Sequence, residues 1–134
     1  MKVAKFIELL NGDLSGEYQA TVQYIQHQGV MQSKMRDELR IHAFEELAHA
    51  STLARMINIL GGTPTITLNQ VQVSDCEETM LQQDLDGEDG AIAHYKERVE
   101  QAAEMGDSSI TRQLQSILDD EEIHAKDLHK ALGK

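Results

Sequence analysis

Glu46-Leu47-Ala48-His49 and Glu121-Glu122-Ile123-His124 decide how this chain is read. Each is Glu-x-x-His. On a helix, residues three apart share a face about one turn apart, so a carboxylate and an imidazole so placed can grip one metal ion together. One copy would carry little weight in a chain with 23 acidic residues and six histidines. Both copies, however, lie inside long helical patterns and on the stripe that should be buried. Polar residues that break an apolar stripe are expected where a site has been built.

A second repeat extends the first. Residues 13–24 read DLSGEYQATVQY, and residues 84–95 read DLDGEDGAIAHY, with six of the twelve positions identical. The chain is therefore two related halves. Each holds a lone glutamate, Glu17 or Glu88, followed by a Glu-x-x-His. The offset grows from 71 residues at the first element to 75 at the second. Those four extra residues make about one helical turn, which leaves the face unrotated.

At 134 residues, one domain spanning 1–134 is the natural expectation. Few aromatics, no tryptophan and a 40 % apolar content favour helices around an aliphatic core. A net charge of -11 argues against nucleic acid as a partner and suits cations. Cys76 is the only cysteine, so the chain can form no internal disulfide or thiolate cluster. The N-terminus MKVAKFIELLNG lacks a signal-peptide apolar region. No apolar run approaches the ~18–20 residues that span a bilayer. A cytoplasmic protein without a membrane partner is expected.

Periodicity predicts an all-α chain with helices at about 3–28, 33–60, 75–105 and 108–132. In the first, Phe6, Leu10, Leu14, Tyr24 and Ile25 mark the apolar stripe, and Gly29 fits a C-cap. Ser33 is read as the N-cap of the second, Ser74 and Asp75 as caps of the third, and Asp107 as that of the fourth. Gly61-Gly62-Thr63-Pro64 ends the second helix. Residues 65–73 alternate like a strand but have no partner strand. They read as an extended connection running the length of the bundle.

Put together, four helices supply four carboxylates and two imidazoles: Glu17, Glu46, His49, Glu88, Glu121 and His124. Iron and manganese accept such donors. Two divalent cations would neutralise four carboxylates that could not otherwise share a core. Glu45 and Asp120 each precede a ligand histidine by four residues. A cross-pairing, Glu45 with His124 and Asp120 with His49, would orient the imidazoles. Tyr24 and Tyr95 stand seven residues after Glu17 and Glu88, on the same face, where each can hydrogen-bond a ligand carboxylate across the bundle. His27, His94 and His129 are expected at the surface. His42, four residues before Glu46, is left open between surface and site.

The chain resembles bacterioferritin and its ferritin-like relatives, including rubrerythrin. Gly16-Glu17 with Tyr24, Glu46 to Ala50, Leu60 to Pro64, Met80-Leu81 with Asp84 and Glu88, and Leu118 to His124 carry the resemblance. It implies a ferritin-like antiparallel four-helix bundle with a long crossover between helices two and three. It also implies a ferroxidase site at the six residues above, where two iron ions per chain (or manganese) would bind and Fe(II) would be oxidised by oxygen or hydrogen peroxide. The resemblance is incomplete: Ile41 stands where the family carries a cavity-side His, and no Cys-rich rubredoxin module is present. Bacterioferritins bind haem through a Met directly after the first motif Glu; here it is Leu47, so haem is not expected. They also carry a short fifth helix where this chain stops, so a large storage cage does not follow. Three functions stay open: a ferroxidase for iron storage or detoxification, a rubrerythrin-like peroxide reductase with an external electron donor, and a non-catalytic metal-binding bundle. A homo-oligomer, at least a dimer, is expected.

Overall fold

The computed structural model describes residues 1–134 and contains four α-helices and no strand. They are α1 (Val3–Val30), α2 (Met35–Ile59), α3 (Glu77–Glu104) and α4 (Ser108–Ala131). α1 packs on α2 and α3 on α4; the two pairs then meet through α1 with α3 and α2 with α4. The turns inside each pair are short. Asp107 caps α4 by accepting from Ile110 N at 2.9 Å, after Gly106 reverses the chain at a φ of +77°.

Three caps differ from the sequence reading. α1 runs through Gly29 to Val30, because Met31 is buried in the core and serves as the C-cap in extended conformation. Lys34 rather than Ser33 occupies the N-cap of α2, although Ser33 Oγ accepts from Met35 N at 3.3 Å. Cys76 occupies that of α3, and Ser74 Oγ accepts from Cys76 N instead of from the helix. The start of α3 is tied elsewhere: Glu77 accepts from the backbone of Gln32 and Ser33, in the turn between α1 and α2.

The α2–α3 crossover is extended and is laced to α1 in chain order. Asn11 donates to Thr63 O and accepts from Thr65 N, Ser15 O accepts from Asn69 N, and Gln23 Oε1 accepts from Gln72 N. His27 then meets Gln72 O at 2.8 Å. The contacts climb α1 by sixteen residues, about 24 Å of helix. The crossover therefore returns the chain to the far end of the bundle, and all neighbouring helices run antiparallel. At its start Gly62 approaches so closely that a Cβ there would lie 2.5 Å from Ile7 Cγ2.

Covering α1 has a cost for the predicted stripe. Ile25 is outside, whereas Gln23 and His27 are buried. The expectation of a surface His27 is thus corrected: the crossover and Asp84 enclose it. The aliphatic core falls into two parts. Phe6, Leu10, Leu14, Leu53, Ile57 and Leu114 anchor one end, and Met31, Leu39, Met80, Leu85 and Leu128 the other. A polar layer lies between them.

Candidate metal centre

That middle layer contains all six residues singled out by the repeats, each at most 5 % exposed. Glu17 comes from α1, Glu46 and His49 from α2, Glu88 from α3, and Glu121 and His124 from α4. His49 Nδ1 lies 3.1 Å from both Glu46 Oε1 and Glu121 Oε1, and 3.6 Å from Glu17 Oε2. His124 Nδ1 lies 2.9 Å from Glu88 Oε2, and 3.5 Å from both Glu46 Oε1 and Glu121 Oε1. Two four-donor sets result, Glu17-Glu46-His49-Glu121 and Glu46-Glu88-Glu121-His124, each with its atoms within 4.8 Å of one another, and His42, Glu88 and His124 make a three-donor set beside them. The two four-donor sets adjoin, and each could hold a cation, with Glu46 and Glu121 common to the pair.

The far side of each imidazole faces a carboxylate of the opposite helix. His49 Nε2 is 2.8 Å from Asp120 Oδ2, and His124 Nε2 is 3.4 Å from Glu45 Oε2. The Asp120 carboxylate keeps a proton on His49 Nε2 and aims Nδ1 inward, whereas Glu45 stands opposite His124 Nε2 without hydrogen-bonding it. Tyr24 donates to Glu88 at 2.7 Å and Tyr95 to Glu17 at 2.6 Å, each crossing between α1 and α3.

The electrostatics describe a cluster short of positive charge. Burial, then repulsion from Glu121, pushes the Glu17 carboxyl up to about 7 and that of Glu88 to about 8. Glu46 and Glu121 are raised as well, by burial first and then by their carboxylate neighbours. Burial works against protonating His49 and His124, but contact with Glu121 and the other carboxylates outweighs it, so both are raised far above the usual imidazole range. Glu17 Oε2, Glu46 Oε1, His49 Nδ1 and both Glu121 oxygens are buried without a hydrogen-bond partner. Lone pairs left unmet and converging on one space fit divalent cations, and the oxygen and imidazole donors suit iron or manganese.

Several buried polar groups went unnoticed in the sequence. Arg98 binds Asp13 at 2.7 Å, and His27 binds Asp84 at 2.9 Å. Their signal was in the repeat: Asp13 and Asp84 are its opening residues, and 27 and 98 also correspond at the offset of 71. His42 is buried too; its ring stacks on His124 with centroids 4.1 Å apart. Burial, then the charge of His124, lowers its pKa to about 4. His94 and His129 lie at or near the surface.

A cleft of about 190 Å³ between α1 and α3 reaches Glu17, Glu46, Glu88 and Glu121 from outside. Gly12, Gly16, Gly87 and Gly90 line its mouth. A Cβ on Gly12, Gly87 or Gly90 would meet nothing within 4 Å.

Comparison with known proteins agrees with this architecture. The sequence profile of the ferritin-like domain matches residues 7–134. Bacterioferritin of Rhodobacter capsulatus is 32 % identical over 126 residues, covering 90 % of this chain and 78 % of that protein. Its solved structure, described with a metal-free dinuclear site and haem iron, superposes with a TM-score of 0.91 at 31 % identity, covering 97 % of this chain and 84 % of that one. A ferritin-like, diiron-carboxylate protein of Bacillus anthracis gives a TM-score of 0.93 at 31 % identity, covering 98 % and 99 % of the two chains.

Proposed function

The chain belongs to the ferritin-like family, alongside the bacterioferritins, and from that premise we propose that it binds two iron ions and oxidises Fe(II) with oxygen or peroxide. One observation carries the reading: two adjoining donor sets that share Glu46 and Glu121. When bound, two Fe(II) ions supply one electron each to the oxidant. In this reading Glu17 and His49 would hold one ion and Glu88 and His124 the other, with Glu46 and Glu121 available to both.

The protein's own residues set the order of events. Buried carboxylates and imidazoles with raised pKa values give up protons as cations enter. The Tyr95 hydroxyl holds Glu17 Oε1 and leaves Oε2 free to turn toward a metal, while the Tyr24 hydroxyl holds Glu88 Oε2, the oxygen beside His124 Nδ1. Asp120 fixes the His49 imidazole and Glu45 stands opposite that of His124, so the carboxylates are the donors able to shift. The glycine-lined cleft is the approach for a small oxidant.

Ile41, Phe44 and Leu47, spaced by three, make an exposed apolar stripe on α2, and Val22 and Ile25 are exposed on α1. A second copy of the chain is proposed to cover it, giving a homodimer as the smallest assembly.

The test is anaerobic Fe(II) titration followed by oxygen or peroxide, with mass measured in solution. Fast oxidation of two Fe(II) per chain, abolished in Glu46→Ala and Glu121→Ala, is expected. If oxidation proceeds equally well in both variants, the reading fails. Continued uptake by a large assembly would assign storage. Repeated turnover with peroxide and an added electron donor in a small oligomer would assign peroxide reduction.

A further inference from the structure

His42 lies beside the centre but outside its two four-donor sets, and it also comes within 4.8 Å of donor atoms of Glu88 and His124. It is 2 % exposed, and neither ring nitrogen has a hydrogen-bond partner. A buried imidazole with both nitrogens unmet is costly, and such a group calls for a ligand. Its Nε2 is aimed at Asp127, with 3.5 Å to Oδ2. Glu38, one turn earlier on α2, completes a set whose donor atoms lie within 4.8 Å of one another.

The internal repeat supplies an independent argument. At the offset of 75 residues that relates α2 to α4, the counterparts of Glu38 and His42 are Gln113 and Ile117, and that of Asp127 is Thr52. Ile117 is an ordinary member of the apolar core. The bundle thus fills this position with hydrocarbon in one half and with a three-donor cluster in the other. Packing alone does not require the histidine.

We propose that Glu38, His42 and Asp127 form a third metal site, for a divalent transition-metal ion, adjoining the paired centre on the α2–α4 side. One imidazole and two carboxylates are borderline donors that suit Fe(II), Mn(II), Co(II) or Zn(II), with water completing the shell. Glu38 and Asp127 are only half-buried, so solvent touches two of the three donors here, whereas the six central residues are buried and open only onto the glycine-lined cleft. An ion here exchanges faster than the pair and is the first one a chelator removes. The stack of His42 on His124 places it beside a ligand of the centre.

The test is Co(II) binding to the full chain under anaerobic conditions, counted by equilibrium dialysis. The parent protein is expected to hold three Co(II) per chain. The Glu38→Gln/Asp127→Asn double variant, altered only at half-exposed positions, is expected to hold two. His42→Leu, which restores the hydrocarbon character of position 117, is expected to hold two as well. A double variant that binds as many Co(II) as the parent overturns the proposal, and two in each leaves the paired centre standing. One Co(II) per chain, lost in the double variant but kept in Glu46→Gln/Glu121→Gln, would uphold the third site and sink the paired centre instead.

Discussion

His49 and His124 each face two ways, Nδ1 toward the shared carboxylates and Nε2 toward Asp120 or Glu45. Asp120→Asn removes the charge that holds the His49 tautomer. It is expected to weaken metal binding by about 10–100-fold while leaving the fold intact, as read by competitive titration against a chelator. His27 gives a second prediction. Burial opposes its protonation, but Asp84 and the Gln72 carbonyl, both acceptors, outweigh burial and raise its pKa above the ordinary 6.5. A histidine so raised contributes stability that is fully present below pH 6.5 and is lost as pH rises through the folded value. His27→Gln should therefore destabilise the protein by about 3 kcal/mol in mild acid. The deficit should shrink in alkali, measured as urea midpoints across that range. Had the pair stayed neutral, the deficit would not change with pH. Glu17, Glu88 and the two Glu-x-x-His motifs were legible because doubling at fixed spacing is improbable on a merely solvated face. His27 and Arg98 were less so: they correspond across the repeat at the offset of 71, but a basic residue carries no mark of what will cover it. The crossover and Asp84 of α3, both brought there by tertiary packing, bury His27.

At the scale of elements, the glycines of α1 and α3 set stability against access. Each helix-interior glycine costs about 1 kcal/mol relative to alanine. Gly90→Ala, with nothing within 4 Å of the added Cβ, should raise unfolding stability by about that amount and leave oxidation nearly unchanged. Gly90→Leu should keep part of the stability but slow oxidation by narrowing the cleft. Thermal melts alongside stopped-flow oxidation separate the two effects; equal rates in both variants would rule out the cleft as the approach. The helices themselves could be read from periodicity, and their spans differ from expectation by about two residues at an end. The caps were less legible, since burial of Met31 prolonged α1 past Gly29. The extended 65–73 segment was readable as a connection, because one alternating run without a partner cannot form a sheet. That it would lie in register along α1 was not.

For the whole molecule, the central layer trades stability for binding capacity. Four carboxylates with raised pKa values oppose folding near neutral pH until cations enter. Metal at a hundredfold excess over its Kd should add about 2.7 kcal/mol, a rise in Tm on the order of 10 °C. Chelation should reverse it in a calorimetric scan. Phe44→Glu, in the middle of the exposed stripe, should halve the mass seen by light scattering without altering metal content; an unchanged mass would place the subunit contact elsewhere. The internal twofold repeat has a consequence for how the chain assembles. Each helical hairpin brings three donors for its own ion and borrows its fourth, Glu46 or Glu121, from the other hairpin. Neither hairpin holds all four donors of a set, so on the proposed reading an ion's shell would be complete only once the hairpins have docked. The bound ions would then act as rivets through a seam, and their uptake during refolding would be a clock for its closure.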